Sequence, residues 1–295
     1  MKLRASLAAI AVLASCATIA HAAGYRLAPW KDDLFKYPAV LESHDGGALI
    51  TVDYSKERDL YGRDAVVEKK AKAEYVELVG AKTYSYKSGF STQKFMGAGK
   101  VEGGARAIVI YIHGMGGSRH QGVDEWMFGG NFNRIMNLMV RNDGAYLSPD
   151  YSPFGGAGQI RDLMIEQAQR SPDAQIFIAC GSWGGTICWD LARDPKATPL
   201  ISGLLLLGSN HDDRFVTTPA VTGGARRFPI YLGHGTEDPI YRWQDELAFY
   251  RKVRAAAPDY PIRLALFKTG GHGTPIRMTD WRDMINWMLA ARGPA

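Results

Sequence analysis

The chain has 295 residues, of which 46% are hydrophobic and 22% charged. This is the composition of a globular protein, and it excludes a disordered or fibrous chain. The formal net charge of +5 falls to +3 if Lys2 and Arg4 are removed with a leader. Basic and acidic residues alternate along the chain, which argues against nucleic acid as a partner but allows weak association with an anionic membrane surface.

The N-terminus has the pattern of an export signal. Lys2 and Arg4 precede an apolar stretch that ends in small residues near Ala22, so we predict a signal peptide over residues 1–22. A second interpretation stays open, because the Leu-Ala-Ser-Cys tetrapeptide ending at Cys16 matches a bacterial lipobox. Cys16 would then carry a lipid anchor. Both interpretations predict an exported protein in a bacterial periplasm or cell envelope.

The rest of the chain, residues 23–295, is predicted to form a single α/β domain. Residues 48–52 and 73–79 are candidates for first, antiparallel strands. Further on, apolar runs alternate with amphipathic stretches, which favours a mainly parallel sheet with helices on both faces. The central strands are predicted at 107–112, 176–181, 203–208, 229–233 and 262–267, and the helices at 130–140, 157–170, 184–193, 243–256 and 280–290.

A glycine-rich loop follows the first central strand. It begins at His113 and continues through Gly114, Met115, Gly116 and Gly117. Glycines allow a backbone to turn its N–H groups toward a developing negative charge, as an oxyanion hole requires. We therefore assign one donor to the backbone N–H of Met115, and expect His113 to hold the loop rather than to act as a base.

The second central strand runs into a serine flanked by small residues. Ser182 lies between Cys180 and Gly184, each two positions away, and this spacing is typical of a nucleophile elbow. Cys180 stands where glycine is usual. The N–H of Trp183, directly after the serine, is the second predicted oxyanion donor. A plain glycine-rich turn is the alternative interpretation.

An acid and a base follow in chain order. Asp238 comes shortly after the strand at 229–233, and His272 follows the last strand. Asp212 and Asp213, after the strand at 203–208, are the alternative positions for the acid. We predict Ser182, Asp238 and His272 as the catalytic residues, because a serine hydroxyl needs a base and the base needs an orienting carboxylate.

These three motifs in this order resemble the α/β-hydrolase superfamily over residues 105–295. The elbow at 181–184 is similar to that of proline iminopeptidases, whereas the loop at 113–117 looks closer to lysophospholipases and esterases. The resemblance implies a serine hydrolase with no cofactor. We expect carboxylic ester substrates, with lipid acyl esters, as for a lipase or phospholipase A, as the specific hypothesis. A serine exopeptidase of the iminopeptidase type and a non-catalytic binding protein remain as alternatives.

Three smaller expectations complete the analysis. The segment 211–228 is predicted to form a short lid over an open site. Cys180 and Cys188 are expected to be two buried thiols, and the scattered histidines suggest no metal. Four aromatic side chains are expected either to line the site or to pack in the core: Phe154, Trp183, Phe215 and Tyr241.

Overall fold

The computed structural model describes residues 24–65 and 70–291. The predicted leader over residues 1–22 and the alternative lipid attachment at Cys16 lie outside the described residues. Within them, one ten-stranded sheet and a separate two-stranded hairpin are formed. The strands are β1 Val40–His44, β2 Leu49–Val52, β3 Asp64–Ala65, β4 Lys70–Ala71, β5 Lys82–Ser88, β6 Ser91–Gly99, β7 Ala107–Ile112, β8 Ala145–Pro149, β9 Gln175–Gly181, β10 Ile201–Leu207, β11 Ile230–Gly235 and β12 Ile262–Phe267.

The large sheet has the order β1-β2-β12-β11-β10-β9-β7-β8-β6-β5. Pairing is parallel from β2 through β8 and antiparallel at both edges, where β1 pairs with β2 and where β6 pairs with β8 and β5. The predicted mainly parallel sheet is therefore confirmed. Because parallel strands end on the same side, the loops after β7, β9, β11 and β12 meet at one edge of the sheet.

The five predicted helices are present with bounds that differ by no more than one residue at either end. No helix among the described residues is both long and apolar enough to cross a membrane. The α-helices are α1 Asp32–Phe35, α2 Asn131–Arg141, α3 Gly156–Arg170, α4 Gly185–Arg193, α5 Pro219–Thr222, α6 Trp243–Ala256, α7 Thr274–Met278 and α8 Trp281–Ala291.

The sheet separates two apolar cores. Along β7, Ile108, Ile110 and Ile112 point to one face, whereas Val109 and Tyr111 point to the other, as the two-residue period of a strand requires. The first face is covered by α3, α4 and α6, and the second by α2, α7 and α8. Helices on both faces, as predicted, explain why the central strands are almost entirely apolar.

The prediction of a strand at 73–79 is wrong. Residues Ala73–Tyr75 form a 3-10 turn. The backbone that follows forms hydrogen bonds with side chains instead of with another strand. Asn133 exchanges two hydrogen bonds with the backbone of Glu77, and Glu125 accepts from the N–H of Val79. The antiparallel strands at this edge are β5 and β6, further along the chain.

The two free thiols are also a wrong prediction, because Cys180 and Cys188 form a disulfide bond with their Cα atoms 6.3 Å apart. The chain reverses direction at Ser182, and α4 packs back onto β9. Both cysteines then face the same apolar core. The bond therefore joins the strand before Ser182 to the helix after it.

Candidate active site

Ser182 lies at the sharp turn between β9 and α4. Its backbone φ of 52° falls in the left-handed region, which non-glycine residues seldom adopt and which is common at functional sites. The turn is tightly enclosed: a Cβ on Gly184 would lie 2.6 Å from the carbonyl oxygen of His113. The small residue at position 184 is thus required by the close approach of the β7 loop.

A second contact supports this turn from the end of β10. Ser209 donates a hydrogen bond from its Oγ to the backbone carbonyl of Ser182 over 2.8 Å. A Cβ on Gly185 would lie 1.6 Å from that same Oγ, so only glycine fits there. The sequence analysis missed Ser209, since nothing in a lone serine after an apolar strand indicates what it contacts.

The side chain of Ser182 is hydrogen-bonded to His272 in the loop after β12. The Ser182 Oγ lies 2.8 Å from Nε2 of His272, and Nδ1 of the same ring lies 2.8 Å from Oδ2 of Asp238. A neutral imidazole meets this geometry by donating from Nδ1 to the carboxylate and accepting the serine hydroxyl at Nε2. The structure therefore brings together the three residues predicted from the sequence.

Asp238 has a fully buried side chain that is held by its own loop. Its Oδ1 accepts hydrogen bonds from the backbone N–H groups of Ile240 and Tyr241, at 2.8 and 3.2 Å. Burial acts to raise the pKa of the Asp238 carboxyl, but the hydrogen bonds from His272 and the two amides outweigh it and lower the pKa. The carboxylate is accordingly ionised and fixed in orientation.

A second histidine lies beneath the same carboxylate. His234, on β11, is 1% exposed, and its Nε2 lies 3.5 Å from Oδ2 of Asp238 while donating to the carbonyl of Tyr241 over 2.9 Å. Burial lowers the pKa of His234, which keeps the ring neutral. His234 thus acts as a positioning residue for the loop that carries Asp238, and the sequence analysis gave it no role.

The glycine-rich loop after β7 packs directly against Ser182. A Cβ on Gly114 would lie 3.0 Å from the Cβ of Ser182. The N–H of Met115 donates to no acceptor within the described residues. Trp183 is the second residue of the 3-10 turn Ser182–Gly184, where an N–H has no intrahelical partner. One predicted donor therefore directly follows the serine in the chain, and the other follows Gly114, which packs against it.

His113 is held within the loop rather than aimed at Ser182. Its Nδ1–H donates to the carbonyl of Gly114 over 2.8 Å, and its ring stacks on Tyr151 at a centroid distance of 4.4 Å. The hydroxyl of Tyr151 donates to the carbonyl of His113 over 2.6 Å, and its ring also stacks on Trp183. Burial lowers the pKa of His113. Tyr151, which the sequence analysis did not single out, thus braces this side of the site.

The alternative acids at the end of β10 are engaged elsewhere. Asp212 pairs with Arg193 and Arg214, and Asp213 with Lys252. The segment 211–228 contains a short 3-10 turn and α5. Phe215 is fully buried in this segment and belongs to the apolar core, so of its two interpretations core packing applies.

Exposed apolar side chains lie on three of the loops at this edge of the sheet. Met115 is 78% exposed, Phe154 is 91% exposed and Ile240 is 61% exposed. The three residues lie in the loops after β7, β8 and β11. Met115 follows Gly114, which packs against Ser182, and the N–H of Ile240 donates to Asp238. Tyr241 lies with its ring centroid 5.9 Å from that of His272. His272 is 29% exposed, so solvent reaches the base.

Among residues 24–65 and 70–291, no group of three or more His, Cys, Asp or Glu side chains is arranged to hold a metal ion. The hydrogen-bonded line from Ser182 through His272 to Asp238 supports proton transfer between the serine and the histidine, with the carboxylate orienting the ring.

The sequence matches no protein-family model and no curated protein sequence. Solved structures are similar in fold. A thermostable esterase has a TM-score of 0.55 and 14% identity, over 71% of this chain and 62% of its own. An esterase from Pyrococcus furiosus has a TM-score of 0.53 and 12% identity, over 72% of this chain and 91% of that esterase. An acylaminoacyl peptidase from Pyrococcus horikoshii has a TM-score of 0.51 and 15% identity over 70% of this chain, which spans only 40% of that peptidase. At these identities the likeness establishes a shared fold.

Proposed function

We propose that this chain, which has the α/β-hydrolase fold, is a serine hydrolase that cleaves carboxylic esters through an acyl-enzyme. The observation that carries the proposal is the continuous hydrogen-bonded chain from Ser182 through His272 to Asp238. A surface serine seldom has a base and a buried, ionised carboxylate in line behind it.

In the first half of the reaction, the Oγ of Ser182 attacks the ester carbonyl carbon while Nε2 of His272 takes its proton. The carbonyl oxygen becomes an oxyanion, which accepts hydrogen bonds from the N–H groups of Met115 and Trp183. One such donor is worth about 2.7–4 kcal/mol of barrier in a well-studied protease. His272 then protonates the leaving alcohol, and Asp238 stabilises the imidazolium and holds its orientation.

In the second half, water replaces the alcohol. His272 removes a proton from the water, whose oxygen attacks the acyl carbon, and the C–O bond to Ser182 breaks as His272 returns the proton to the serine. The partial exposure of His272 supports the entry of water at this step. The products are a carboxylic acid and the free enzyme.

The proposed substrate class is a lipid acyl ester. It is supported by the exposed Met115, Phe154 and Ile240, whose loops border the site, because exposed apolar patches at a binding site favour apolar ligands or membrane surfaces. The open site suits a substrate presented at a lipid surface.

We also propose that the protein is exported. The disulfide between Cys180 and Cys188 supports this, because disulfides persist in oxidising compartments such as the bacterial periplasm. The predicted leader at 1–22 agrees. Intact mass of the protein from cell-envelope fractions distinguishes cleavage after Ala22 from lipidation of Cys16, and finding the uncleaved chain in the cytoplasm would contradict export.

The activity is tested with a fluorophosphonate probe on the wild type and on Ser182→Ala. Covalent labelling of the wild type is expected, and none of the variant, since the probe reacts with an activated serine. Ser91→Ala, at an exposed position of β6, keeps Ser182 and serves as the matched control that should still be labelled. An unlabelled wild type would favour a non-catalytic binding protein.

The substrate class is tested separately with phospholipid vesicles, glycerides, short soluble esters and aminoacyl anilides. We expect the lipid esters to be cleaved fastest, and expect Phe154→Ser to reduce vesicle hydrolysis while leaving soluble ester hydrolysis unchanged. Rapid cleavage of the anilides with slow ester cleavage would establish the exopeptidase alternative. Cleavage of short esters alone would overturn the lipid assignment.

A further inference from the structure

A cavity of about 840 Å³ lies on the sheet face covered by α6, away from Ser182. The sheet extends past this helix, because β2 and β1 continue it beyond β12. Helix α6 packs on β11 and β12 and leaves β1 and β2 uncovered. A groove forms between the side of the helix and these two outer strands. None of the side chains placed at Ser182 lines it. Its volume lies in the range of small-molecule sites.

The floor and one wall of the groove are apolar. Leu49 and Leu266 come from the sheet, and Leu247 and Trp243 come from α6. Trp243 and Arg254, which both line the groove, are eleven positions apart on α6, a rise of about 16 Å at 1.5 Å per residue. A groove of this length and character accommodates an extended alkyl chain.

Basic side chains line the groove on both the helix and the sheet. Arg251, Arg254 and Lys268 line it, and none of these three has a carboxylate within 4.0 Å among the described residues. Arg251 and Arg254 are three residues apart on α6, so their side chains are neighbours on one helix face. Two unpaired guanidinium groups beside apolar side chains form a site for an anion.

The acidic side chains of the groove come from the β1 and β2 side of the sheet. Asp45 accepts a hydrogen bond from the hydroxyl of Tyr250, on α6, over 2.8 Å. Glu42 lies 3.9 Å from Nε2 of His44 and accepts from Thr51. Among the described residues neither carboxylate forms an ion pair with Arg251 or Arg254, which are left available to a ligand.

We propose that this groove is a second binding site, for a long-chain carboxylate. The carboxylate lies between Arg251 and Arg254, and the alkyl chain follows Leu247 and Leu266 toward Trp243. The site does not depend on the proposed activity, although such a carboxylate is also what hydrolysis of a lipid acyl ester would release.

The test measures binding of laurate by isothermal titration calorimetry below its micellar concentration. Ser182 is first blocked with the fluorophosphonate, so that the candidate active site cannot hold the ligand. We expect one laurate per protein, and at least a tenfold weaker affinity for Arg251→Glu/Arg254→Glu. The matched control Lys56→Glu/Lys196→Glu makes the same change in net charge at two exposed lysines outside the groove, and should bind as the wild type does.

Two further measurements define the ligand. Dodecyltrimethylammonium, with the same chain length and the opposite charge, should bind at least tenfold more weakly than laurate. Leu247→Trp should weaken laurate binding by filling the groove, with circular dichroism and melting showing that the variant folds.

The proposal is overturned if the blocked protein does not bind laurate, if the arginine variant binds like its lysine control, or if the cationic amphiphile binds equally well. Failure of the probe to label Ser182 would count against the proposed hydrolase only. The titration is then run on Ser182→Ala, and the result for the groove remains interpretable.

Discussion

The ends of the neighbouring strands β10 and β11 both carry aspartates at the same edge of the sheet, but only one of these aspartates contributes to the candidate active site. After β11, Asp238 is fully buried and bonded to His272. After β10, Asp212 is bound to Arg193 and Arg214. A carboxylate paired with two guanidinium groups has little capacity left to orient a histidine, whereas one held by backbone amides keeps an oxygen free for this role.

The comparison shows that the partners of an acid, rather than its distance from a strand end, determine what it can do. The loop after β11 supplies two N–H groups and the neutral His234 to Asp238. The loop after β10 instead supplies Ser209, which supports the backbone of Ser182. One strand end therefore orients the base and the other holds the nucleophile.

Exchanging the acid is expected to have the largest effect. Asp238→Asn should lower kcat for a soluble ester by about 10³–10⁴-fold, because an amide in this position favours the wrong tautomer of His272. Steady-state kinetics with p-nitrophenyl acetate measure it.

The matched variant at the other strand end is Asp212→Asn. It should leave kcat within about twofold of the wild type, since its partners are Arg193 and Arg214 rather than Ser182, His272 or Asp238. Equal losses in both variants would mean that the two strand ends do not differ in the way described.

The end of β9 that carries Ser182 differs from the ends of β10 and β11, because a disulfide bond joins it to α4. Cys180→Ala/Cys188→Ala should lower the free energy of unfolding by about 2–3 kcal/mol, the loop-entropy value for a disulfide spanning eight positions. Urea denaturation measures it, with and without a reductant. The reductant should shift the midpoint of the wild type alone, and an unshifted wild type would show that the bond does not form.

The smallest expected effect concerns Glu246, a buried residue of α6 near the end of β10. Both of its carboxylate oxygens lack partners among the described residues, although His211 lies 3.9 Å away. Burial, with a contribution from Asp245, raises the pKa of Glu246 well above its usual value. An acid with a raised folded-state pKa contributes stability below its unfolded pKa of about 4.3, and this is lost as pH rises toward the folded value.

Glu246→Gln should therefore melt near the wild-type temperature at low pH and increasingly above it as pH rises to 8, by roughly 2–4 °C for each kcal/mol. Thermal denaturation over a pH series measures the difference, and Glu57→Gln at an exposed position is the control. A difference that stays constant with pH would contradict the role assigned to burial.

The central strands and the elbow could be predicted because local rules determine them. The strands at 107–112 and 262–267 and the helix at 243–256 have the predicted bounds, since long apolar or amphipathic runs carry their own signal. Ser182, Asp238 and His272 were identifiable because each follows a buried strand, and parallel strands bring such residues to one edge.

Features that depend on tertiary contacts could not be predicted in this way. Strand β5 is mostly exposed at the sheet edge, so it lacks the alternation that indicates a half-buried strand. The disulfide required knowing that α4 packs back on β9. The groove arises where the sheet extends past α6, which no single segment encodes.

The most direct test of the account is to trap the acyl-enzyme. The protein is mixed with p-nitrophenyl acetate, quenched in acid during the first turnovers and digested for mass spectrometry. We expect one acetyl group on the peptide containing Ser182, on the serine itself, and none in Ser182→Ala. An acetyl group on a different residue, or ester cleavage that continues unchanged in Ser182→Ala, would contradict the claim that Ser182, His272 and Asp238 work as one catalytic unit.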